Sequence, residues 1–128
     1  VAVAVLNDFD LVRGDSIDLQ VVFVDDAEPP QPIDISNRTL IFTIKSDYND
    51  PDTAKLGQAR ITFPANTDST NGIGYLFVPH TETENLTIGE NVWCDFQQTF
   101  TDTRGNLHVN TLAVFKKTVQ EDVTKGVT

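Results

Sequence analysis

Cys94 is the chain's single thiol and His108 one of its two imidazoles, and a thiol beside an imidazole is the simplest nucleophile that brings its own base. Both fall in residues 90–117, which read as two long β-strands joined by a tight turn at Asp102-Thr103-Arg104-Gly105. With Asp102 facing Gly105, Val92 pairs with Phe115, Cys94 with Ala113, Phe96 with Thr111, Gln98 with Val109 and Phe100 with Leu107. On the other face Thr101 pairs with Asn106, Thr99 with His108, Gln97 with Asn110, Asp95 with Leu112 and Trp93 with Val114. The first face is mostly apolar and the second mostly polar, so the pattern predicts a specified register. It sets the thiol in the core and the imidazole outside, where they cannot share a proton. Cys94 then reads as a small buried hydrophobe.

The other reactive side chains are as isolated. Ser16, Ser36, Ser46 and Ser69 lack the Gly-x-Ser-x-Gly context of a nucleophile elbow, and His80 has no designated partner. Asp47, Asn49, Asp50 and Asp52 imitate a calcium loop, but Pro51 takes the fifth ligand place, Asp52 the glycine place and Gln58 the place of the closing glutamate. Asp25, Asp26 and Glu28 form a second acidic loop, and solvated loop charge is the simpler reading of both. No metal and no cofactor is implied. Arg13-Gly14-Asp15 matches an adhesive tripeptide, yet a Gly between strands is what a turn needs. Asn37-Arg38-Thr39 and Asn85-Leu86-Thr87 fit the N-glycosylation pattern, which matters only in a eukaryotic secretory pathway. No catalytic residue is assigned, and the chain is expected not to be an enzyme.

One apolar group breaks the polar face of the hairpin. Trp93, Leu112 and Val114 cluster there, and a tryptophan in a small apolar patch with a polar surround can anchor an interface. Either a second subunit covers them or the N-terminal arm does, through Val1, Val3 and Val5.

Short strands must position all of this. Ile17, Leu19, Val21 and Phe23 alternate with Ser16, Asp18, Gln20 and Val22, which is the period of a half-buried strand. Leu40, Phe42 and Ile44 repeat the pattern, as do Ala59, Ile61 and Phe63, then Ile73, Tyr75 and Phe77. Prolines 29, 30 and 32 block a ladder through the acidic loop, residues 66–72 are turn chemistry, and Thr81 with Glu84 has capping-box spacing. Seven or eight short strands with regular turn signals predict an all-β, antiparallel, immunoglobulin-like β-sandwich, with a Greek-key barrel as the alternative. Residues 1–8 are read as an arm or edge strand, 9–118 as the sandwich and 119–128 as a tail.

A chain of 128 residues can bury a core without covalent staples. Its longest apolar run, residues 1–6, is too short for a membrane helix and lacks the flanks of a signal peptide. The net charge of −10 argues against nucleic acid and against an anionic membrane surface.

The order of motifs resembles the small immunoglobulin-like domains of tailed-phage virions, of the kind at the N-terminus of baseplate upper proteins. The matching residues are Phe9 before Arg13-Gly14-Asp15, the strand from Ile17 to Val24, and Pro32-Ile33-Asp34-Ile35 ahead of Leu40-Ile41-Phe42-Thr43-Ile44-Lys45. Gly72-Ile73-Gly74-Tyr75 follows, then Leu86 and Gly89 leading into Trp93-Cys94-Asp95-Phe96-Gln97, and finally Asp122-Val123-Thr124. The resemblance implies a structural protein of the virion, in a tail, baseplate, neck or capsid surface. It also implies a homo-oligomer in the particle, in contact with other virion proteins. The alternative is a carbohydrate- or host-surface-binding β-sandwich module, whose mark would be aromatic side chains exposed on one face.

Overall fold

The computed structural model describes the chain except residues 1–2, 7–8, 48, 50, 52–54 and 122–128, and describes residues 3–6 by their backbone. Among the described residues seven strands carry the fold: β1 (Val3–Leu6), β2 (Ile17–Val24), β3 (Thr39–Lys45), β4 (Gly57–Thr62), β5 (Ile73–Val78), β6 (Asn91–Thr101) and β7 (Leu107–Thr118). They form two antiparallel sheets, β1-β2-β5 and β4-β3-β6-β7, packed as a β-sandwich. The strand order is that of a constant-type immunoglobulin domain, except that the fourth strand pairs with β3 instead of β5.

The alternation seen in the sequence becomes burial in β2 and β3, whereas β5 buries Gly74, Leu76 and Val78 and turns out Tyr75 and Phe77, which the alternation sets inward. In β2, Ile17, Leu19, Val21 and Phe23 are buried while Asp18 and Gln20 face out. Leu40, Phe42 and Ile44 from β3 and Val92, Cys94 and Phe96 from β6 meet them from the other sheet. Four aromatic rings knit one end of the core. Phe42 lies 4.8 Å from Phe96, Phe96 stacks at 5.8 Å on Phe115, and Phe9 sets its edge against Phe42 and Phe115. Gly74 lets the sheets approach at the opposite border, because a Cβ there would sit 2.3 Å from the Phe63 ring.

Several expectations need correction. Residues 66–72 hold a one-turn helix, α1 (Thr67–Thr70), whose first turn is capped by the Asn66 side chain accepting from the Ser69 N–H. Thr81 caps nothing. The 3₁₀ turn His80–Glu82 begins after Pro79 and carries no side-chain cap. Val119 is buried, and Gln120 forms a parallel bridge with Val12, so packing continues past the end of β7.

The hairpin register also differs from the expected one. Asp102 faces Asn106, not Gly105, so the loop is Thr103-Arg104-Gly105 with Gly105 at φ +85°. This is the three-residue hairpin loop that ends on a left-handed glycine. It sets Thr101 opposite Leu107, Phe100 opposite His108, Thr99 opposite Val109 and Gln98 opposite Asn110. Further along, Phe96 is opposite Ala113, Cys94 opposite Phe115 and Val92 opposite Lys117. The two stretches differ by one residue, and a β-bulge between them leaves Leu112 without an opposite number. Turn geometry dictates one register and core packing the other. The bulge reconciles them.

Candidate functional site

The bulge moves the chemistry. Below it, Ala113 and Phe115 face the core together with Cys94 and Phe96; above it, the inward positions of β7 pass to Asn110 and His108. His108 therefore shares a face with Cys94 after all. Six residues along β6 still separate Cys94 from Phe100, the partner of His108, which is about 20 Å of extended chain. Burial pushes the Cys94 thiol up to about 12, against the pull of the nearby Lys117 ammonium, so it stays protonated at neutral pH. The two groups form no catalytic pair.

His108 belongs instead to a network at the hairpin tip. Its Nε2 lies 2.9 Å from Asp102 Oδ2, and the other carboxylate oxygen accepts from the Arg104 and Asn106 amides at 2.9 Å each. The bond to His108 and then the Asn106 amide hold the Asp102 carboxyl down to about 2. The imidazole stacks flat on Phe100 at 4.6 Å. On the same ring sits the Arg38 guanidinium, 3.9 Å from the centroid. Arg38 donates through Nη1 to Gln98 Oε1 at 3.1 Å, and Gln98 Nε2 donates to Asn110 Oδ1 at 3.4 Å. Gln98 is only 3% exposed, so its amide is a buried polar group satisfied on both sides. The sequence pattern makes Asp102 a turn former and sets Gln98 on the core face. The His108–Phe100 and Gln98–Asn110 contacts come from the shifted register, whose visible sign is the run Leu112-Ala113-Val114-Phe115, apolar with no alternation. Asp102 and His108 together brace the turn.

The outward face of the hairpin carries the predicted interface group in part. Trp93 is half-buried there, with the Lys116 ammonium 5.1 Å from its ring centroid, and Val114 stands opposite Asp95. Leu112 is not with them: the bulge turns it so that it packs against the core cluster. Farther along the same outward face come Val109 and Leu107, 56% and 68% exposed. The register with Asp102 facing Gly105 sets both on the core face. Val3 and Val5 lie on β1, which pairs with β2 in the opposite sheet. Val1 lies outside the described residues.

The remaining candidates stay apart. Gly14 takes φ +83° in a turn closed by the Asp15 amide on the Val12 carbonyl, which is the turn role expected of Arg13-Gly14-Asp15. Asp25 Oδ1 accepts from the Ala27 and Gln31 amides, so the acidic loop folds around its own carboxylate. Asp50 and Asp52 lie outside the described residues, and among the described residues no group of three His, Cys, Asp or Glu side chains could hold a metal ion. No described helix is long and apolar enough to cross a membrane.

A second exposed group lies on the other sheet. Tyr75 and Phe77, both on β5, are 53% and 55% exposed. Set beside protein-family models and curated proteins, the chain matches no family model and no curated protein.

Proposed function

We propose that the chain is a non-enzymatic structural domain of a tailed-phage virion, working through protein–protein contacts made by the outward face of the β6–β7 hairpin. The observation that carries this reading is the apolar series Trp93, Val114, Val109 and Leu107 along that face, at the border of the sandwich. Sheet borders in soluble proteins are usually blunted with charge, proline or a covering element. Here β7 keeps Leu107 and Val109 in solvent on a strand whose tip is braced by the Asp102 network. A rigid, half-apolar border suits docking against a neighbour, while the acidic balance of −10 keeps free subunits from sticking to one another. The motif order shared with virion immunoglobulin-like domains supports the setting, and closed symmetric assembly is the expected form there.

The test is mass spectrometry and immunogold labelling of purified phage particles from a lysate that expresses the chain. The chain should co-purify with particles at a fixed copy ratio, and Trp93→Ala combined with Val109→Ser should remain folded and drop out of them. A chain found only in the soluble fraction overturns the reading.

A further inference from the structure

We infer that the border between β4 and β5 is a binding cleft for an extended, uncharged oligosaccharide. The cleft lies on a different part of the molecule from the hairpin contacts. Tyr75 and Phe77 are alternate residues of β5 and so project from one face, roughly 7 Å apart along the strand. Each is more than half exposed, an unusual state for two neighbouring aromatic rings on a border strand.

The adjoining strand sets a hydrogen-bonding side chain opposite each ring. Gln20 is paired with Tyr75, and Asp18 with Phe77. Ile61 of β4 closes the far wall of this groove, which encloses about 520 Å³. A smaller hollow of about 180 Å³ continues it past Ile61 and Tyr75 toward Asn66, Asp68 and Ser69 at the start of α1. Phe63, whose ring fills the place a Gly74 side chain would take, and Gly74 both line this second hollow.

A sugar ring has one face of C–H groups and a rim of hydroxyls. Aromatic faces receive the first, and carboxylate and amide groups receive the second. Alternating rings and polar groups along an open cleft match a chain of such units. Among the described residues that line the cleft none is basic and two are aspartates, so an anionic polymer is disfavoured and a neutral one admitted.

The experiment is a titration of the isotopically labelled full chain, followed by amide NMR shifts, with cellohexaose, maltohexaose and chitohexaose in one arm and oligogalacturonate in the other. At least one neutral hexaose should move the amides of Asp18, Gln20, Tyr75 and Phe77 and leave the Trp93 indole unmoved, while oligogalacturonate moves none. Tyr75→Ala and Phe77→Ala should each weaken binding at least about tenfold. Because the map is read on the natural chain, it decides the question even where a variant fails to fold. No movement at these amides with any neutral hexaose, movement confined to the hairpin, or equal response to the anionic probe overturns the inference. So does a Tyr75→Ala/Phe77→Ala chain that is lost from particles while the natural chain ignores all the sugars, since that marks a protein contact.

Discussion

The two halves of one hairpin differ more than the two sheets do. Below the bulge, Val92, Cys94 and Phe96 with Ala113 and Phe115 pack into the aromatic end of the core. Above it, the inward positions are Gln98, Phe100, His108 and Asn110, joined by hydrogen bonds and stacking, and the apolar Leu107 and Val109 are turned to solvent. The strands run unbroken through both halves, so backbone pairing cannot account for the difference. Face assignment does. One extra residue at Leu112 exchanges the inward and outward sets of β7, and the lower half works by burial while the upper works by a braced turn and an exposed border.

The lower half should be the more fragile. Phe96 is fully buried between Phe42 and Phe115, and Phe96→Asp places a charge there without a partner. The cost, several kcal/mol or more, is comparable with the whole stability of a domain of about 5–15 kcal/mol. The variant should show no cooperative urea transition by circular dichroism. A folded Phe96→Asp would move the centre of the core elsewhere.

Next in size is removal of the bulge. Without Leu112 the ladder closes and neither register changes, since Phe96 already faces Ala113 and Gln97 faces Thr111. The loss is the partial burial of one leucine, about 1–2 kcal/mol of unfolding free energy in a urea titration. Cross-strand proton contacts between Thr99 and Val109 should persist. Contacts from Val109 to Phe100 or Gln98 instead would mean that the turn does not govern the upper register.

The split between the halves also explains what was legible from the residues. Strands β2 and β3 are readable from alternation over a few residues, because burial on one face is a local pattern. In β5 the period holds but the face does not, since Leu76 and Val78 are buried while Tyr75 and Phe77, the apolar set of the alternation, face out. The hairpin tip was not. In β7 the apolar residues 107, 109, 113 and 115 all have odd numbers, so period-two reasoning assigns them to one face. The structure divides them, because the Gly105 turn and the Phe115 packing each fix a register and the two disagree by one residue. A bulge settles a conflict between distant constraints, and no window of a few residues contains it. The same holds for Arg38 and Gln98, sixty residues apart in the chain and in contact only through the pairing of β3 with β6.

Acid should reach the upper half. The folded-state carboxyl of Asp102 lies at about 2, below its ordinary 3.8, so its contribution to stability is present above about pH 4 and fades as pH falls toward 2. Asp34, lowered by its bonds with Ser36, adds a step of the same sign. Asp102→Asn should lower the urea midpoint at pH 6 and flatten its fall between pH 4 and pH 2, leaving the Asp34 part. An unchanged acid limb would show that the His108 contact does not brace the turn.

The smallest effect on stability is the most informative about the border. Leu107 and Val109 are exposed and make no core contact, so Leu107→Ser with Val109→Ser should change the unfolding free energy by less than about 0.5 kcal/mol each. Under the register with Asp102 facing Gly105, both would be core residues, and each serine would cost several times that. One urea titration therefore separates the two registers. A folded, fully stable double variant that no longer enters particles would further divide the labour of the hairpin, with burial below the bulge and contact above it.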